Sequence, residues 1–276
     1  MQGDEIIMLA TDLFEFAYVP EWYRQLDELK SMALPESWRF KKTAVETKNT
    51  DTPILERYIH TIFRKQAIEY NSEQDKLKAM QYFYVGDERA CFHTGLYTPM
   101  YKAIYACFGR NRYMDSTFEW YFKGFCDELS AELKYIEPLP NRPVYHMGQQ
   151  GEVFHPDWSI RVNVEHILGD AENLERIPAK VRKLKNLPLL LETAAELARR
   201  KAIIEPGIVV AQAYAGRGQF LLPMYLTDTN KPDIAMTLSL MDGYYLGNTC
   251  LTLEMAYLNA RAIARPTVRW LSDLVK

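Results

Sequence analysis

The sequence predicts an α+β fold in which an antiparallel sheet is built from consecutive hairpins, with a helical N-terminal region and a buried C-terminal helix. Three observations favour this class. Apolar residues recur at helical spacing in the first third of the chain, short strand-like segments follow one another from residue 80 onward, and a nearly all-apolar helix closes the sequence. Consecutive hairpins segregated from helices are typical of α+β proteins. We therefore expect a single domain, 1–276, with a mainly helical region at 1–79 and a sheet-containing core at 80–276.

Two helices are predicted in the N-terminal region. Residues 21–32 repeat apolar side chains at helical spacing and stop before Pro35. A second helix is predicted at 53–67, with Asp51 or Thr52 as its cap and a proline in its first turn. The polar stretch between the two helices is expected to be a loop.

From residue 80 onward the apolar segments are shorter and richer in aromatic and β-branched residues. Segments 80–86 and 89–98 are predicted to form a hairpin around Gly86-Asp87-Glu88. Further strands are predicted, with turn-forming residues between most of them, at 117–125, 158–164, 208–214, 219–226, 234–240 and 244–246. Pro223 lies inside one of these strands, which indicates an edge or a bulge.

The expected core also contains two predicted helices and a loop. Residues 97–108 return to helical spacing, with Thr98 as the cap and Pro99 in the first turn. The clearest helix of the chain is predicted at 188–204. The Pro- and Gly-rich stretch 138–156 is expected to be a long ordered loop. No internal repeat is visible in the sequence.

The formal charge is nearly balanced, with 33 Lys+Arg against 36 Asp+Glu and a net charge of −3 at pH 7. A protein that coats long nucleic acid usually carries a basic excess, so this balance argues against extended duplex binding. It allows a pocket for a nucleotide or an RNA end. Residues 1–36 are rich in acids and residues 176–201 are rich in bases. The basic segment is either a phosphate-facing surface or one of two solvated faces, and we favour the second interpretation.

The cysteines indicate a reducing compartment, because their spacing shows no pairs: Cys91, Cys107, Cys126 and Cys250. The acidic N-terminus lacks the cationic and apolar order of a signal peptide. The longest aliphatic run, at 187–191, is too short to span a bilayer. We therefore expect a soluble cytoplasmic protein with buried, reduced thiols and no membrane partner.

Standard sequence motifs for phosphate loops, dinucleotide binding, zinc proteases and serine hydrolases are absent. Gly216-Arg217-Gly218 contains glycines, but we expect it at a hairpin tip and not as a phosphate cradle. The five histidines are scattered, and only His146 and His155 are close in sequence. These patterns predict no metal site and identify no cofactor.

The strongest candidate residues lie in the segment 158–168. If this segment is a strand, Arg161, Asn163 and Glu165 share one face, with His166 directly after them. One interpretation is an ordinary half-exposed strand with a polar outer face. The functional interpretation is a sheet face that floors a polar pocket. There Arg161 would bind phosphate through its planar fork, Asn163 would orient the ligand, and His166 would move a proton.

Two further groups of residues are candidates for ligand contact. His93 and Thr94 lie at a strand end before a glycine, where backbone amides can approach a ligand. A strand-to-helix turn explains the glycine, threonine and proline that follow, but it leaves His93 and Thr94 unexplained. In the next predicted strand Tyr121, Lys123 and Phe125 share one face, and the lysine either extends to water or points at an anion.

The C-terminal segment 248–266 predicts a helix that is apolar almost all round, which is typical of a buried helix. At about 100° per residue, Glu254 and Arg261 share one strip between the apolar stripes, and Asn259 lies on another. Burying charged groups is costly unless each is paired and hydrogen-bonded. The strips are therefore either a solvent side or a ligand contact, and we expect the strip with Arg261 to face the sheet that carries Arg161.

A series of sequence blocks covers the chain from Leu13 to Leu271: LFEFAYVPEW, ACFHTGLYTP, WYFKGFCDE, QFLLPMYLTD, and GNTCLTLEMAYLNARAIARP with the final Trp270-Leu271. Together these blocks resemble domain-of-unknown-function family 3825, in which we expect Asn at the position of His93. The resemblance implies no settled activity. It implies that relatives are attached in some proteins to RNA-binding modules of the cold-shock or LOTUS type, and hence a role in RNA metabolism.

The residues and the resemblance together predict an RNA- or nucleotide-directed domain with one polar phosphate-binding pocket, processing or sensing RNA ends. The catalytic candidates are His166 and Glu254. The substrate-binding candidates are Arg161, Asn163, Lys123, His93, Thr94, Asn259 and Arg261. The partner would be an RNA end or a nucleotide, and the sequence leaves open whether a reaction follows. The alternatives are a non-catalytic RNA- or protein-binding module and an interaction scaffold.

Overall fold

The computed structural model describes residues 8–42, 51–113, 116–145, 153–214 and 217–276. Within these ranges the chain forms ten α-helices and ten strands, arranged in two five-stranded sheets. Contacts divide the chain into two compact units, the first comprising residues 1–39 and 44–144 and the second residues 40–43 and 145–276. Each unit holds one sheet. The α+β class is confirmed, with two sheets where one was expected, and the assignment of the whole chain to a single domain stays a prediction.

The first unit contains sheet 1 and four helices. Its elements are α1 (Leu13–Phe16), β1 (Ala17–Tyr18), α2 (Trp22–Met32), α3 (Pro53–Ser72), α4 (Lys76–Ala79), β2 (Tyr84–Val85), β3 (Arg89–Tyr97), β4 (Ala103–Arg110) and β5 (Trp120–Asp127). Both predicted N-terminal helices are present as α2 and α3. Thr52 and Pro53 occupy the cap and the first turn of α3, as expected from their preferences at helix starts.

Aromatic side chains fill the space between sheet 1 and its helices. Phe16 of the α1 end, Phe63 of α3 and Phe92 of β3 are buried together. Phe83, which precedes β2, lies 5.3–5.6 Å from each of these three rings, measured between centroids. Tilted and edge-on contacts of this kind add to the stabilisation that apolar burial provides.

Residues 97–108 do not form the predicted helix. Strand β4 begins at Ala103, pairs with β3 and β5, and is buried over its first seven residues. A strand buried on both faces is apolar throughout, so its residues also match helical spacing. Thr98 and Pro99 lie in the β3–β4 hairpin loop instead, where the Thr98 amide donates to the Lys102 carbonyl.

Strand β5 contains a bulge that changes which of its residues share a face. Residues 107 and 108 of β4 pair with Gly124 and Phe122 respectively, so Lys123 is the extra residue. Phe125 consequently contacts the Phe122 ring, with 5.1 Å between the centroids. The prediction that Phe125 shares a face with Lys123 is therefore wrong.

The second unit contains sheet 2 and six helices. Its elements are β6 (Ser159–Val162), α5 (Val164–Gly169), α6 (Ala171–Arg176), α7 (Ala179–Arg182), α8 (Leu187–Ile204), a 3-10 turn (Pro206–Ile208), β7 (Val210–Tyr214), β8 (Arg217–Met224), β9 (Ile234–Leu240), β10 (Tyr244–Leu251), α9 (Leu253–Ile263) and α10 (Arg269–Ser272). Apolar residues of α8 pack on one face of the sheet, against β8 and β6. The opposite face is covered by α9 near β7.

Three sequence expectations for the second unit need correction. Strand β6 ends at Val162 and α5 follows, so Glu165 does not share a strand face with Arg161. Residues 248–251 belong to β10, and α9 begins only at Leu253, after its Thr252 cap. Pro223 lies in the inner strand β8, but beyond the last β7 pairing, and it is paired only with β9.

The two sheets have the same topology although the sequence shows no repeat. Strand order is β1-β5-β4-β3-β2 in sheet 1 and β6-β10-β9-β8-β7 in sheet 2. In each sheet the last four strands form an antiparallel meander, and the first strand pairs in parallel with the last. The longest helix of each unit, α3 or α8, packs against the second strand of its meander.

Candidate functional site

The face of sheet 2 opposite α8 carries a row of side chains, one from each strand. Strand pairing places Arg161 opposite Leu246 and Leu246 opposite Ser239. Gln219 follows on β8 and is opposite Gln212 on β7. We call the four polar residues among them, Arg161, Ser239, Gln219 and Gln212, the polar row, and Leu246 separates Arg161 from the other three. Adjacent strands are about 4.8 Å apart, so the row is about 19 Å long.

Amide side chains in the row are joined by hydrogen bonds that all run in one direction. Asn259 of α9 donates through Nδ2 to Gln212 Oε1 at 3.0 Å. Gln212 donates through Nε2 to Gln219 Oε1 at 3.0 Å, and Gln219 donates through Nε2 to Ser239 Oγ at 3.1 Å. Gln212 is fully buried, whereas Gln219 and Ser239 are half-buried. The row therefore passes from a closed end under α9 to an open end at β6.

Arg161 forms the open end of the row. Its side chain is exposed, and its guanidinium carbon lies 4.1 Å from the centroid of the Tyr244 ring. Tyr244 is on β10, where it pairs with Ser159 beside Arg161. When a guanidinium stacks on an aromatic ring, the contact fixes the flat face of the guanidinium. Its N–H groups, which lie at the edge of that plane, remain available to a ligand.

Most charged groups of the basic segment 176–201 are engaged within the second unit. Glu196 accepts hydrogen bonds from both Arg199 and Arg200, which hold its carboxyl pKa down at about 2. Arg176 binds Glu172, and Arg182 donates to backbone carbonyls. These contacts support the solvated-face interpretation of the segment. Arg161, in contrast, takes part in no ion pair among the described residues.

Asn163 and His166 lie beside the open end but are placed by local structure. Asn163 caps α5, because its Oδ1 accepts the backbone N–H of His166 at 3.3 Å. Its Nδ2 donates to Asn248 Oδ1 on β10 at 3.1 Å. Both polar atoms of Asn163 thus have structural partners. The His166 side chain is exposed.

Helix α9 directs Asn259 toward the sheet. The hydrogen bond to Gln212 fixes this side, and Arg261 lies about 160° away around the helix. The expectation that the Arg261 strip faces the sheet is therefore wrong, although Arg261 is buried, with 7% of its surface exposed. Glu254 is half-buried in the first turn of α9, where the helix dipole favours a carboxylate.

In the first unit, His93 and Thr94 serve the backbone of sheet 1. The Gly95 N–H donates to His93 Nδ1 at 2.8 Å, and Gly95 has a φ of +77°, at a break in β3–β4 pairing. Thr94 Oγ1 donates to the Ile104 carbonyl and accepts the Leu96 N–H. Burial, reinforced by the charge of Arg142, lowers the pKa of His93 to about 4, so the imidazole is neutral at pH 7. These contacts explain the two residues that the sequence left unexplained.

Lys123, the remaining candidate, is the exposed bulge residue of β5. Its aliphatic stem covers Gly109, and its Nζ lies 5.7 Å from the Tyr121 ring centroid. Tyr121 is also near Tyr18 of β1, with 5.8 Å between ring centroids. A cation above a tyrosine of the last strand thus occurs in both sheets, with a looser contact in sheet 1. The first unit contains Lys123, His93 and Thr94, and the second unit contains the other candidates. A single pocket formed by all of them stays a prediction.

A groove of about 260 Å³ lies between the start of β7 and the end of α9. It is lined mainly by residues 209–211 and 263–268. None of the candidate residues lines it. The polar row is therefore a separate feature of the second unit.

Grouped metal-ligand side chains and membrane-spanning helices are both absent from the part of the chain that the structure describes. No three His, Cys, Asp or Glu side chains there are grouped closely enough to hold a metal ion. His146 lies outside the described residues, and His155 stacks on Trp158, with 4.6 Å between ring centroids. Among the described helices, none has both the length and the apolar character that a membrane crossing requires.

The sequence missed most of the polar row. Gln212, Gln219 and Ser239 stand in segments predicted as strands, and Gln212 and Ser239 are each flanked by apolar residues on both sides. This isolation was a usable signal, because a polar residue inside a buried strand must find a partner. Tyr244 was assigned to a strand without any role.

The topology and the row define a class: a two-sheet α+β protein in which one sheet presents a chain of hydrogen-bonded amides and, beyond Leu246 on the same face, an arginine stacked on a tyrosine. Residues 29–270 match the family described as Domain of unknown function (DUF3825). Because the match covers most of the chain, the protein belongs to this family, as the resemblance predicted. No curated protein and no solved structure matches the chain.

Proposed function

We propose that the second unit binds a nucleotide or a single-stranded RNA end on the open part of the polar row. One observation carries this proposal. Arg161 is exposed, stacked on Tyr244 and free of ion pairs among the described residues, whereas the arginines of the basic segment 176–201 bind glutamates or backbone carbonyls. An exposed, oriented guanidinium is well suited to bind a phosphate.

The guanidinium of Arg161 is better suited to bind a phosphate than the ammonium of a lysine would be. The planar guanidinium can donate two parallel N–H bonds to two phosphate oxygens. Stacking on Tyr244 restricts the side chain before the ligand arrives, so less conformational entropy is lost on binding. Arginine planes and aromatic rings also stack on unpaired bases, which is a common mode of single-stranded RNA recognition.

The half-buried members of the polar row offer hydrogen bonds to a base. Gln219 has a second amide N–H, and Ser239 has a hydroxyl hydrogen, beyond the bonds already described. Their positions are fixed by the chain of hydrogen bonds that begins at Asn259. Fixed donors can distinguish base edges, because a wrong base would leave them unpaired.

The proposal is for binding alone. Catalytic roles for His166 and Glu254 stay predictions, and so do ligand contacts of Asn163, Arg261, Lys123, His93 and Thr94. The alternative of an interaction scaffold differs from the proposal in one respect, because it requires no small ligand or RNA at Arg161.

The test is fluorescence anisotropy with a labelled single-stranded RNA of about eight nucleotides, within the usual site size of single-strand binding folds. Competition with mononucleotides separates recognition of a nucleotide from recognition of a longer strand. We expect Arg161→Ala to weaken binding about tenfold and to lower the slope of log K against log salt by about 0.7, the value for one phosphate contact on a single strand.

Arg200→Ala is the matched control, because Arg200 is an exposed arginine that is ion-paired with Glu196. It should leave both affinity and salt slope unchanged. Arg161→Lys, which keeps the charge but loses the planar fork, should be intermediate. If wild-type protein binds neither the RNA nor the nucleotides, or if Arg161→Ala and Arg200→Ala weaken binding equally, the proposal is wrong.

A further inference from the structure

Three of the four cysteines lie together on sheet 1, on the side opposite the aromatic core. Cys91 of β3 is directly opposite Cys107 of β4, and Cys126 lies diagonally from Cys107 on β5. All three belong to a small apolar cluster that includes Leu133 and Ile136. Their sequence spacing indicated no pair, because the strand register that joins them cannot be seen in the spacing.

Cys107 and Cys126 are in unusually close contact. Their Sγ atoms are 2.7 Å apart, and either thiol can be the donor. A disulfide bond is about 2.05 Å long, so the two sulfur atoms need to approach by only about 0.7 Å to form one. The backbone of the two strands already holds the side chains on the same face.

The three thiols differ in access and in acidity. Cys126 is half-exposed, and hydrogen bonds from Cys107 and then Ser130 lower the pKa of its thiol. Cys107 is buried, and its hydrogen bond to Cys126 and its burial raise its pKa. Cys91 is fully buried, which raises its pKa strongly. Because the accessible thiolate is the reactive species, Cys126 is the member suited to meet an oxidant.

We propose that Cys126 and Cys107 form a peroxide-responsive, reversible disulfide, with Cys126 as the attacking and Cys107 as the resolving cysteine. The Cys126 thiolate attacks a peroxide oxygen, the O–O bond breaks, and the departing hydroxide takes a proton to become water. The Cys107 thiol then loses its proton and attacks the Cys126 sulfenic acid. The S–S bond forms as the S–O bond breaks, and a second water leaves. The two sulfur atoms supply the two electrons that reduce the peroxide.

The test uses the full reduced chain, exposed to a small excess of hydrogen peroxide and then alkylated. Trypsin separates the three cysteines into peptides 90–102, 103–110 and 124–134. Mass spectrometry should find 103–110 joined to 124–134, with the link lost after dithiothreitol. The oxidised protein should also melt at a higher temperature, because the cross-link restricts the unfolded chain.

Variants assign the two roles. Cys107→Ser should abolish the cross-link and let Cys126 gain oxygen atoms stepwise, and Cys126→Ser should leave Cys107 unoxidised. Cys91→Ser and Cys250→Ser are the controls and should form the Cys107–Cys126 link as the wild type does. Protein oxidised in urea should lose this selectivity and yield mixed links, because native strand pairing directs the choice of partner.

The wild-type experiment decides the matter even if a variant fails to fold. A native, oxidised protein whose Cys126 remains fully alkylatable would overturn the proposal. So would a dominant link between 90–102 and 103–110, since that would identify Cys91 as the partner. The result is independent of RNA binding, because these thiols and Arg161 lie in different sheets.

Discussion

Sheet 1 and sheet 2 share one strand order but differ on the face that their long helices leave open. In sheet 1 that face carries the apolar cluster that includes Cys91 and Cys107, and the imidazole of its polar residue His93 accepts the Gly95 N–H. In sheet 2 the amides bind one another and Ser239, and Arg161 is exposed at the other end of the row. Strand order therefore does not determine what a sheet can bind. The side chains on the face opposite the long helix determine it.

The difference also separates stability from function. Sheet 1 buries a continuous aromatic cluster on its α3 side. Sheet 2 carries a mixed aliphatic and aromatic core on the α8 side and keeps half-buried amides on the other. We therefore expect substitutions to cost most in sheet 1 and to affect ligands most in sheet 2.

The largest effect is expected for Phe83→Ala in the aromatic cluster of sheet 1. Phe83 is fully buried and contacts four other rings. Truncating a buried phenylalanine typically costs about 3–5 kcal/mol, through lost burial and a residual cavity. Urea unfolding measures the loss, and Met100→Ala, at a residue 80% exposed, should stay within about 0.5 kcal/mol of wild type. Equal effects of the two changes would remove the aromatic cluster as the distinguishing feature of sheet 1.

A smaller effect is expected from the pH dependence of His93. Its pKa is about 4 in the folded protein and about 6.5 in the unfolded chain, so only the unfolded chain gains this proton between those pH values. Stability should therefore fall as pH drops through this window, by about 2–3 kcal/mol between pH 7 and pH 4.5.

His93→Asn tests this dependence directly. The Asn Oδ1 can accept the Gly95 N–H in place of the imidazole nitrogen, in a turn that asparagine favours, but it does not titrate. Urea unfolding at the two pH values should give a variant that loses about 2–3 kcal/mol less than the wild type on acidification. Parallel pH profiles would show that the imidazole is not held neutral, and the structural role assigned to it would fail.

The smallest effect is expected in the polar row of sheet 2. Gln212→Leu keeps the volume of the side chain but removes its hydrogen bonds to Gln219 and Asn259. The two former partners are half-buried and can bind water, so we expect a loss of about 1–2 kcal/mol in urea unfolding. Asn230→Ala, in an exposed loop, is the control. A loss as large as that of Phe83→Ala would mean that the row is part of the core and not a surface.

Local patterns predicted most of the fold. Helices α2, α3 and α8 and the hairpins of sheet 2 follow from apolar spacing, cap residues and turn residues that lie close together in sequence. The prediction failed at 97–108, because a strand buried on both faces has no alternation to reveal it. The bulge at Lys123 was also missed, since it depends on pairing with β4.

The candidate site was only partly predictable for the same reason. Arg161 was found because alternation along one strand is a local property. Its polar neighbours in the row come from three other strands, and only the register between strands brings Gln212, Gln219 and Ser239 together. The side of α9 that faces the sheet is likewise set by tertiary packing, and a helical wheel with two polar strips does not choose between them.

The parallel pairing of first and last strands sets the order of events during synthesis. β1 is synthesised about 100 residues before its partner β5. At a synthesis rate of about 5–20 residues per second, β1 lacks this partner for roughly 5–20 s. β6 waits in the same way for β10. These two waiting strands are only two and four residues long. Strands this short expose few unpaired backbone N–H and C=O groups to a neighbouring nascent chain. Aggregation through these strands is therefore disfavoured before their partners are synthesised.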